Sequence, residues 1–198
     1  MQFKDQYGKI IDHLNMEREE QLQAEKYVTP DCIVLELGAR YGTVSCIINK
    51  KVGVNMVVVE PDIRVQDALE QNMKANGCNF NIVKGVISRV PLELINLNKW
   101  YGGYAATTVK SEVSSIPNFT LEEVESKYNL VFNTLVADCE GFLEQFLDEN
   151  PKLYNQLSLI LFEKDYPNKC NYEKIAATLR ANGFTCLDGR FHSIWKKL

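Results

Sequence analysis

The stretch Ile33-Val34-Leu35-Glu36-Leu37-Gly38-Ala39-Arg40-Tyr41-Gly42 decides the fold of this chain. A helix-like segment follows it, and then a second apolar strand that ends in Val57-Val58-Val59-Glu60-Pro61-Asp62. A right-handed βαβ unit with this order places its glycine turn and its acidic strand end at the same edge of a parallel sheet. We therefore predict a parallel α/β sheet with a ligand-binding edge built from residues 36–42 and 60–62.

The spacing of glycines and carboxylates in this unit indicates which ligand it binds. Gly38 and Gly42 have no Cβ, so the backbone can approach a ligand closely. Glu60 follows Gly38 by 22 positions and can accept hydrogen bonds from both hydroxyls of a ribose. A dinucleotide site requires G-x-G-x-x-G, which this turn lacks. Glu36 would repel a pyrophosphate but attract a sulfonium and an ammonium group. The pattern therefore favours S-adenosylmethionine, with a dinucleotide or a ligand-free βα turn as the alternatives.

Length and composition exclude several classes of protein. With 198 residues, 45% of them hydrophobic, we expect a single domain at 1–198, in which residues 1–30 lead into a core at 31–198. The net charge of −4 predicts no broad nucleic-acid surface. No apolar run approaches the ~20 residues of a membrane span, and a signal-peptide pattern is lacking, so we expect a cytoplasmic protein. None of the six cysteines forms a C-x-x-C pair, so no metal site is predicted.

Further elements follow from periodicity. Residues 5–26 have a helical apolar pattern, and apolar runs at 130–137 and 157–162 predict buried strands. The two runs end in Asp138-Cys139-Glu140-Gly141 and Glu163-Lys164-Asp165. Carboxylates at the ends of central parallel strands lie at the ligand edge of the sheet. Asp188-Gly189 predicts the turn of a closing hairpin.

Two other segments have a functional and a plain structural interpretation. Gly85-Val86-Ile87 follows the third predicted strand and would contact an adenine, or it is an ordinary exit from a strand. The loop that starts at Asn98 combines aromatic residues with two glycines. Such a loop suits the face of a sugar, but ordinary turn packing explains it equally well.

Six motifs, in this order, resemble the FkbM family of O-methyltransferases between about residues 25 and 165. Each motif alone is weak, and the full set is specific. They are Glu36-Leu37-Gly38-Ala39-Arg40-Tyr41-Gly42, Val59-Glu60-Pro61, the L-x-x-N-x-x-x-N-G stretch at 69–77, the small-residue turn at 85–88, Thr120-Leu121-Glu122-Glu123, and Asp138-Cys139-Glu140-Gly141. The sequence departs from the family at Glu36, where Asp is frequent, at Arg40-Tyr41, where Asn-Ile is usual, and at Cys139, where an aliphatic residue is commoner.

The resemblance implies a three-layer α/β sandwich with the class I methyltransferase Rossmann-like sheet, strand order 3-2-1-4-5-7-6, and an N-terminal helix. It implies methyl transfer from S-adenosylmethionine to a sugar hydroxyl of a glycan or glycoconjugate. Members also occur in large DNA viruses that modify their own glycans. The implied cofactor-binding residues are Glu36, Gly38, Ala39, Arg40, Tyr41, Gly42, Glu60, Pro61, Asp62, Gly85, Val86, Ile87 and Asp138.

A sugar hydroxyl is a poor nucleophile, so transfer would benefit from a general base. Asp138 is the first candidate, followed by Glu140, Glu163 and His192. Asp138 has a rival role, which is to hold the ammonium group of the methyl donor. The two carboxylates of the D-x-E-G motif could also hold a divalent ion, which sensitivity to EDTA would reveal. A small-molecule hydroxyl as acceptor and a non-catalytic interaction module are the alternative functions.

Overall fold

The structure is a computed structural model that describes residues 1–97 and 106–197. Its helices are α1 (Arg18–Tyr27), α2 (Thr43–Val52), α3 (Ile63–Ala75), α4 (Leu121–Tyr128), α5 (Leu143–Glu149), α6 (Leu153–Gln156) and α7 (Tyr172–Ala181). Its strands are β1 (Val34–Leu37), β2 (Met56–Val59), β3 (Asn81–Val83), β4 (Val86–Ile87), β5 (Leu92–Ile95), β6 (Thr107–Lys110), β7 (Asn118–Phe119), β8 (Thr134–Ala137), β9 (Leu159–Glu163), β10 (Phe184–Asp188) and β11 (His192–Lys197). The aromatic and glycine positions of the loop after Leu97 lie outside the described residues.

Seven strands form the central sheet in the order β3-β2-β1-β8-β9-β11-β10. All neighbours are parallel except β11, which runs antiparallel to both β9 and β10. Counted along the chain within this sheet, the order is 3-2-1-4-5-7-6, so the predicted fold is confirmed. The predicted turn at Asp188-Gly189 joins the two strands of the closing hairpin.

The central strands are apolar because both faces of the sheet are covered by other elements. Successive side chains of a strand point to opposite faces, and β1 shows the consequence. Leu35 and Leu37 belong to the hydrophobic cluster on one face, and Val34 belongs to the cluster on the other. Glu36 therefore shares the face of Val34, on which the N-terminal segment packs with Phe3 and Ala24. This division makes the three-layer arrangement.

The N-terminal helix is shorter than predicted. Residues 5–26 were expected to be helical, but α1 begins at Arg18. Before it, Lys4 bridges to Ile10, and the Asp5 carboxylate accepts hydrogen bonds from the backbone N–H groups of the intervening turn. Phe3 is fully buried, so its packing and this turn outweigh the helical pattern. Leu22, part of the expected buried face of the helix, is 58% exposed.

Local features stabilise the ends of two other helices. Thr120 and Glu123 form a capping box at the start of α4. Gly77 has φ +67°, which ends α3 in the left-handed region that glycine favours. In the described part of the chain, no helix has both the length and the apolar character that a membrane-spanning segment needs.

Candidate active site

The carboxyl ends of β1, β2 and β8 open into a cleft, here called the main cleft. Its opposite wall comes from the β5–β6 pair, through Leu94, Ala106 and Thr108. Eight of the predicted cofactor residues line it, namely Gly38, Arg40, Glu60, Pro61, Asp62, Val86, Ile87 and Asp138. The parallel strands β1, β2 and β8 end at one edge and bring six of these positions together, whereas Val86 and Ile87 come from the separate β4–β7 pair.

Glu60 is held in a fixed orientation at the end of β2. Its two carboxylate oxygens accept hydrogen bonds from the backbone N–H groups of Arg40 and Asp62, each at 2.7 Å. The residue is 5% exposed, and burial raises its pKa to about 7, although both N–H donors oppose that rise. Each oxygen retains a second lone pair. Glu60 can therefore accept further hydrogen bonds in the cleft.

The glycines of the site are required by neighbouring chain segments. A Cβ on Gly38 would lie 1.7 Å from the carbonyl oxygen of Asp138, and Gly38 has φ +86°. A Cβ on Gly42 would lie 2.8 Å from Leu69, and one on Gly85 would lie 2.2 Å from the carbonyl oxygen of Pro117. The close approaches are thus made by protein atoms, whereas the sequence analysis assigned them to a ligand. The structure brings Gly38 to the main cleft and leaves Gly42 and Gly85 behind its lining.

Arg40 and Tyr41 contact each other at this turn, with the Arg40 guanidinium carbon 4.9 Å from the centroid of the Tyr41 ring, but only Arg40 lines the main cleft. The Arg40 residue has φ +44°. Tyr41 is 1% exposed, and its hydroxyl donates a hydrogen bond to Gln6. Its carbonyl oxygen accepts from Asn72. The predicted contact of Tyr41 with a cofactor is therefore corrected, because its side chain packs into the core under the N-terminal segment.

A second cavity, the acidic cavity, lies on the other side of the β1 turn. Glu36, Ala39, Asp138 and Glu163 line it together with three residues of the N-terminal segment, which are Glu17, Glu20 and Gln23. Glu36 is 3% exposed, and its Oε2 has no hydrogen-bond partner among the described residues. Burial, followed by the nearby carboxylates of Glu17 and Glu20, raises the pKa of Glu36 to about 8. An uncompensated buried carboxylate of this kind is suited to a cationic ligand.

Asp138 lines three neighbouring cavities of the site. It lines the main cleft, the acidic cavity and an outer depression beside Glu140 and Phe191. Burial raises its pKa well above the usual range, and the carboxylates of Glu163 and Glu20 raise it further. A carboxylate with a raised pKa is a stronger proton acceptor than an ordinary one.

Glu140, the second acidic residue of the D-x-E-G motif, is held by the β5–β6 pair. Glu140 has φ +52°, and its carbonyl oxygen accepts a hydrogen bond of 2.8 Å from the Thr107 hydroxyl. That hydroxyl in turn accepts from Lys169 Nζ at 3.0 Å. Burial and the neighbouring Asp165 raise the pKa of Glu140 to about 8. Glu140 thus faces Asp165, whose Oδ1 accepts from the Gly141 N–H group.

The contacts of His192 argue against its predicted role as a base. Its Nδ1 lies 2.7 Å from Glu19 Oε2, and its Nε2 lies 3.4 Å from Glu20 Oε1 and 3.5 Å from Glu163 Oε2. Hydrogen bonds to Glu163 and Glu20 raise its pKa to about 11, so the ring is charged at neutral pH. Burial works against ionisation of Glu163, but the charged ring of His192 holds the Glu163 pKa below its usual value. The prediction of His192 as a base is corrected, and Glu163 becomes the weaker base candidate.

Within residues 1–97 and 106–197, two groups of side chains have the geometry to hold a divalent ion. Asp138, Glu140 and Asp165 each bring an oxygen within 4.8 Å of the others, and Glu20, Glu163 and His192 do the same with their ligand atoms. The first group adjoins the main cleft and consists of oxygen ligands, which Mg²⁺ and Ca²⁺ prefer. The charged ring of His192 makes the second group a poorer ligand set, since a metal ligand must be neutral imidazole.

Four further residues of this site were not among the predicted site residues. Asp165 was expected at the ligand edge, as part of the strand end after β9, but no role was assigned to it. Glu17 and Glu20 lie in a run of charged residues, which is typical of a solvated face. Thr107 reaches Glu140 from a segment with no regular pattern. No local signal marks these last three, because their positions depend on how the N-terminal segment and the β5–β6 pair fold back.

Comparison with known proteins identifies the fold. No protein-family model and no curated protein sequence matches this chain.

Among solved structures, the chain is similar to the N-terminal domain of EvdMO1 with SAH bound. The TM-score is 0.57 and the identity 11%, and the match covers 96% of this chain and 86% of that one. It is also similar to precorrin-6y C5,15-methyltransferase from Geobacter metallireducens (TM-score 0.54, 12% identity, 93% and 89% covered). A third similar structure is Aeropyrum pernix fibrillarin with natively bound S-adenosyl-L-methionine (TM-score 0.52, 15% identity, 96% and 77% covered). The chain therefore has the class I methyltransferase fold.

Proposed function

We propose that this protein is an S-adenosylmethionine-dependent O-methyltransferase, and the geometry of Glu60 is the observation that carries the proposal. Two backbone N–H groups fix both carboxylate oxygens at the mouth of the main cleft. A carboxylate oriented in this way can accept hydrogen bonds from the two neighbouring hydroxyls of a ribose. The apolar wall of Val86, Ile87 and Leu94 on the far side of the cleft suits an adenine.

The acidic cavity supports the choice of donor. S-Adenosylmethionine carries a sulfonium and an ammonium group, and the buried Glu36 carboxylate, whose Oε2 has no hydrogen-bond partner among the described residues, favours positive charge. A dinucleotide would instead bring a pyrophosphate to the turn between Gly38 and Gly42, directly after this carboxylate. A pyrophosphate there would disfavour the ionised form of Glu36 still further, so this residue and the glycine spacing both argue against a dinucleotide.

Asp138 is the residue that we assign to the transfer step. In an in-line displacement, the acceptor oxygen, the methyl carbon and the sulfur are aligned, and holding that alignment supplies much of the rate. The acceptor oxygen attacks the methyl carbon, the carbon–sulfur bond breaks, and the sulfur keeps the bonding electrons. Asp138 takes the hydroxyl proton, which requires its ionised form. Burial and the neighbouring carboxylates raise its pKa in the donor-free protein, and the positive charge of a bound donor would favour ionisation. Glu140 is the second candidate for the general base.

We propose a sugar hydroxyl as the acceptor, on a glycan or glycoconjugate. The resemblance to FkbM motifs supports this choice. The outer depression beside Asp138 supports it too, because Glu19, Glu20 and Glu140 offer carboxylates there, and Phe191 is 51% exposed. Carboxylates accept hydrogen bonds from sugar hydroxyls, and an aromatic ring can pack against a sugar face. The same carboxylates would repel the phosphates of a nucleic acid.

Calorimetric titration with S-adenosylhomocysteine tests the donor assignment. We expect one binding site in the wild type and weaker binding in Glu60→Gln, with NADH as the negative control ligand. Comparison of glycans with and without the active protein, by mass spectrometry, then tests the acceptor. Absence of S-adenosylhomocysteine binding to the wild type would reject the proposal and favour a non-catalytic interaction module. Binding without any methylated sugar would reject only the acceptor.

A further inference from the structure

The N-terminal segment forms one wall of the acidic cavity. Glu17, Glu20 and Gln23 of this segment face Glu36 and Asp138 of the sheet edge across the cavity. The sheet strands alone would leave this side of Glu36 uncovered. The position of α1 therefore decides whether the cavity exists in the form seen here.

Two sets of contacts hold the start of α1 in place. On one side the Glu17 carboxylate accepts a hydrogen bond from the Thr43 hydroxyl at the start of α2. On the other side the His192 ring contacts Glu19, Glu20 and Glu163 at 2.7, 3.4 and 3.5 Å.

The backbone of β11 adds to the second set. The carbonyl oxygen of His192 accepts a hydrogen bond of 3.2 Å from the Gln23 amide. The side chain and the main chain of one residue thus both bind the first half of α1. Register places His192 directly opposite Glu163 in the antiparallel β9–β11 pair, so the ring is anchored to the sheet.

We propose that His192 is a positioning residue for donor binding, because it holds the Glu17–Gln23 part of the N-terminal segment against the sheet edge and so completes the acidic cavity. The role rests on the proposed function, since the cavity is assigned there to the cationic tail of S-adenosylmethionine. His192 acts through Glu19 and Glu20 and does not itself reach the reacting atoms.

Electrostatics explains why one ring can have this effect. Three carboxylates converge on His192, and without a cation between them they repel one another. Glu20 and Glu163 have side chains only 12% and 20% exposed, so water screens that repulsion weakly. Loss of the ring charge would separate α1 from β9, whereas no contact of the ring with β1 or β8 is described.

The test compares His192→Gln with His192→Arg, which keeps the charge, and with His13→Gln as the matched control. S-Adenosylhomocysteine affinity is measured by calorimetry, and amide hydrogen exchange is followed by mass spectrometry. We expect His192→Gln to weaken binding by about tenfold or more and to speed exchange in residues 17–27, with exchange in β1 and β8 unchanged. His192→Arg should recover most of the affinity, and His13→Gln should match the wild type.

Three other outcomes would contradict the inference, and donor affinity and hydrogen exchange together distinguish them. If the wild type binds and His192→Gln binds equally well with unchanged exchange, His192 has no positioning role, and the proposed function stands. If exchange rises throughout the sheet, His192 supports the fold in general. If the wild type does not bind S-adenosylhomocysteine, the proposed function and this inference both fall.

Discussion

At the end of β2 the carboxylate of Glu60 is held by backbone N–H groups, whereas at the ends of β8 and β9 the carboxylates of Asp138, Glu140 and Asp165 face one another. In the first arrangement two N–H donors fix the orientation of the carboxylate and oppose the rise of its pKa that burial causes. In the second, no such pair of donors is described for Asp138 or Glu140, and neighbouring carboxylates add to the rise that burial causes in the pKa of Asp138, Glu140 and Asp165. The difference indicates that one region recognises a ligand and the other accepts protons or cations. The following experiments test that division, in order of expected effect.

Asp138→Asn should cause the largest loss, because it removes the proton acceptor while keeping the shape of the side chain. We expect turnover to fall by about 10²–10⁴-fold, the range for a general base. If donor affinity stays unchanged, Asp138 is the base, and if affinity falls as well, Asp138 also holds the ammonium group. Asp67→Asn is the control, since the Asp67 side chain is 87% exposed. Near-wild-type turnover in Asp138→Asn would remove Asp138 from the mechanism.

Glu60→Gln should weaken donor binding by roughly 1–3 kcal/mol, because the amide replaces one acceptor by a donor in a site that offers two backbone N–H groups. Calorimetry with S-adenosylhomocysteine measures the change. Glu70→Gln on α3 serves as the control. An unchanged dissociation constant would show that the ribose does not reach Glu60, and the recognition region would lose its main residue.

Stability of the donor-free protein should depend on pH through the buried carboxyls. Folding raises the pKa of Glu36 to about 8 from an ordinary value of 4.5, so the folded state retains a proton that the unfolded state has lost. The stability that this group contributes is present below the unfolded pKa and is lost as pH rises through about 8. Urea unfolding of wild type and Glu36→Gln should therefore diverge between about pH 5 and pH 9 by on the order of 1–2 kcal/mol, with the variant more stable at the alkaline end. Parallel curves would refute the assignment.

Thr107→Val should have the smallest effect. It removes the hydroxyl that joins Lys169 to the carbonyl oxygen of Glu140, and one such bond contributes roughly 0.5–1.5 kcal/mol. We expect turnover to fall severalfold with donor affinity unchanged, because the bond positions the acidic region and not Glu60. Thr107→Ser should restore the rate, and the exposed Thr185→Val is the control. A loss confined to donor affinity would contradict the division between the two regions.

The sequence predicted the sheet well because its signals are local. Apolar runs, the glycine turn and Asp188-Gly189 each depend on neighbouring residues, and together they predicted a parallel sheet with a closing hairpin, whereas the strand order came from the resemblance to the FkbM family. The recognition region was predicted for the same reason, since Gly38 and Glu60 lie at the ends of adjacent strands in one βαβ unit. The roles assigned to them as ligand contacts stay predictions until a donor is titrated.

The acidic region was harder to predict because its partners come from distant segments. His192 is a charged partner of Glu19 and Glu20, which precede it by more than 170 positions in the chain. The sequence analysis treated it as a base because an isolated histidine titrates near neutrality. Tyr41 was assigned to the cofactor by its motif position, but burial against Gln6 decided its side chain. Long-range contacts of this kind leave no periodicity to detect.

The contact between Gly38 and the carbonyl oxygen of Asp138 leaves no room for even a methyl group, since an ideal Cβ would lie 1.7 Å away. The β1 turn and the β8 turn must therefore shift as one piece. Transplanting the first βαβ unit from another protein of this fold would fail wherever the graft replaces Gly38 with a bulkier residue. Engineers who wish to exchange the donor half for that of a related scaffold would have to carry both turns across together.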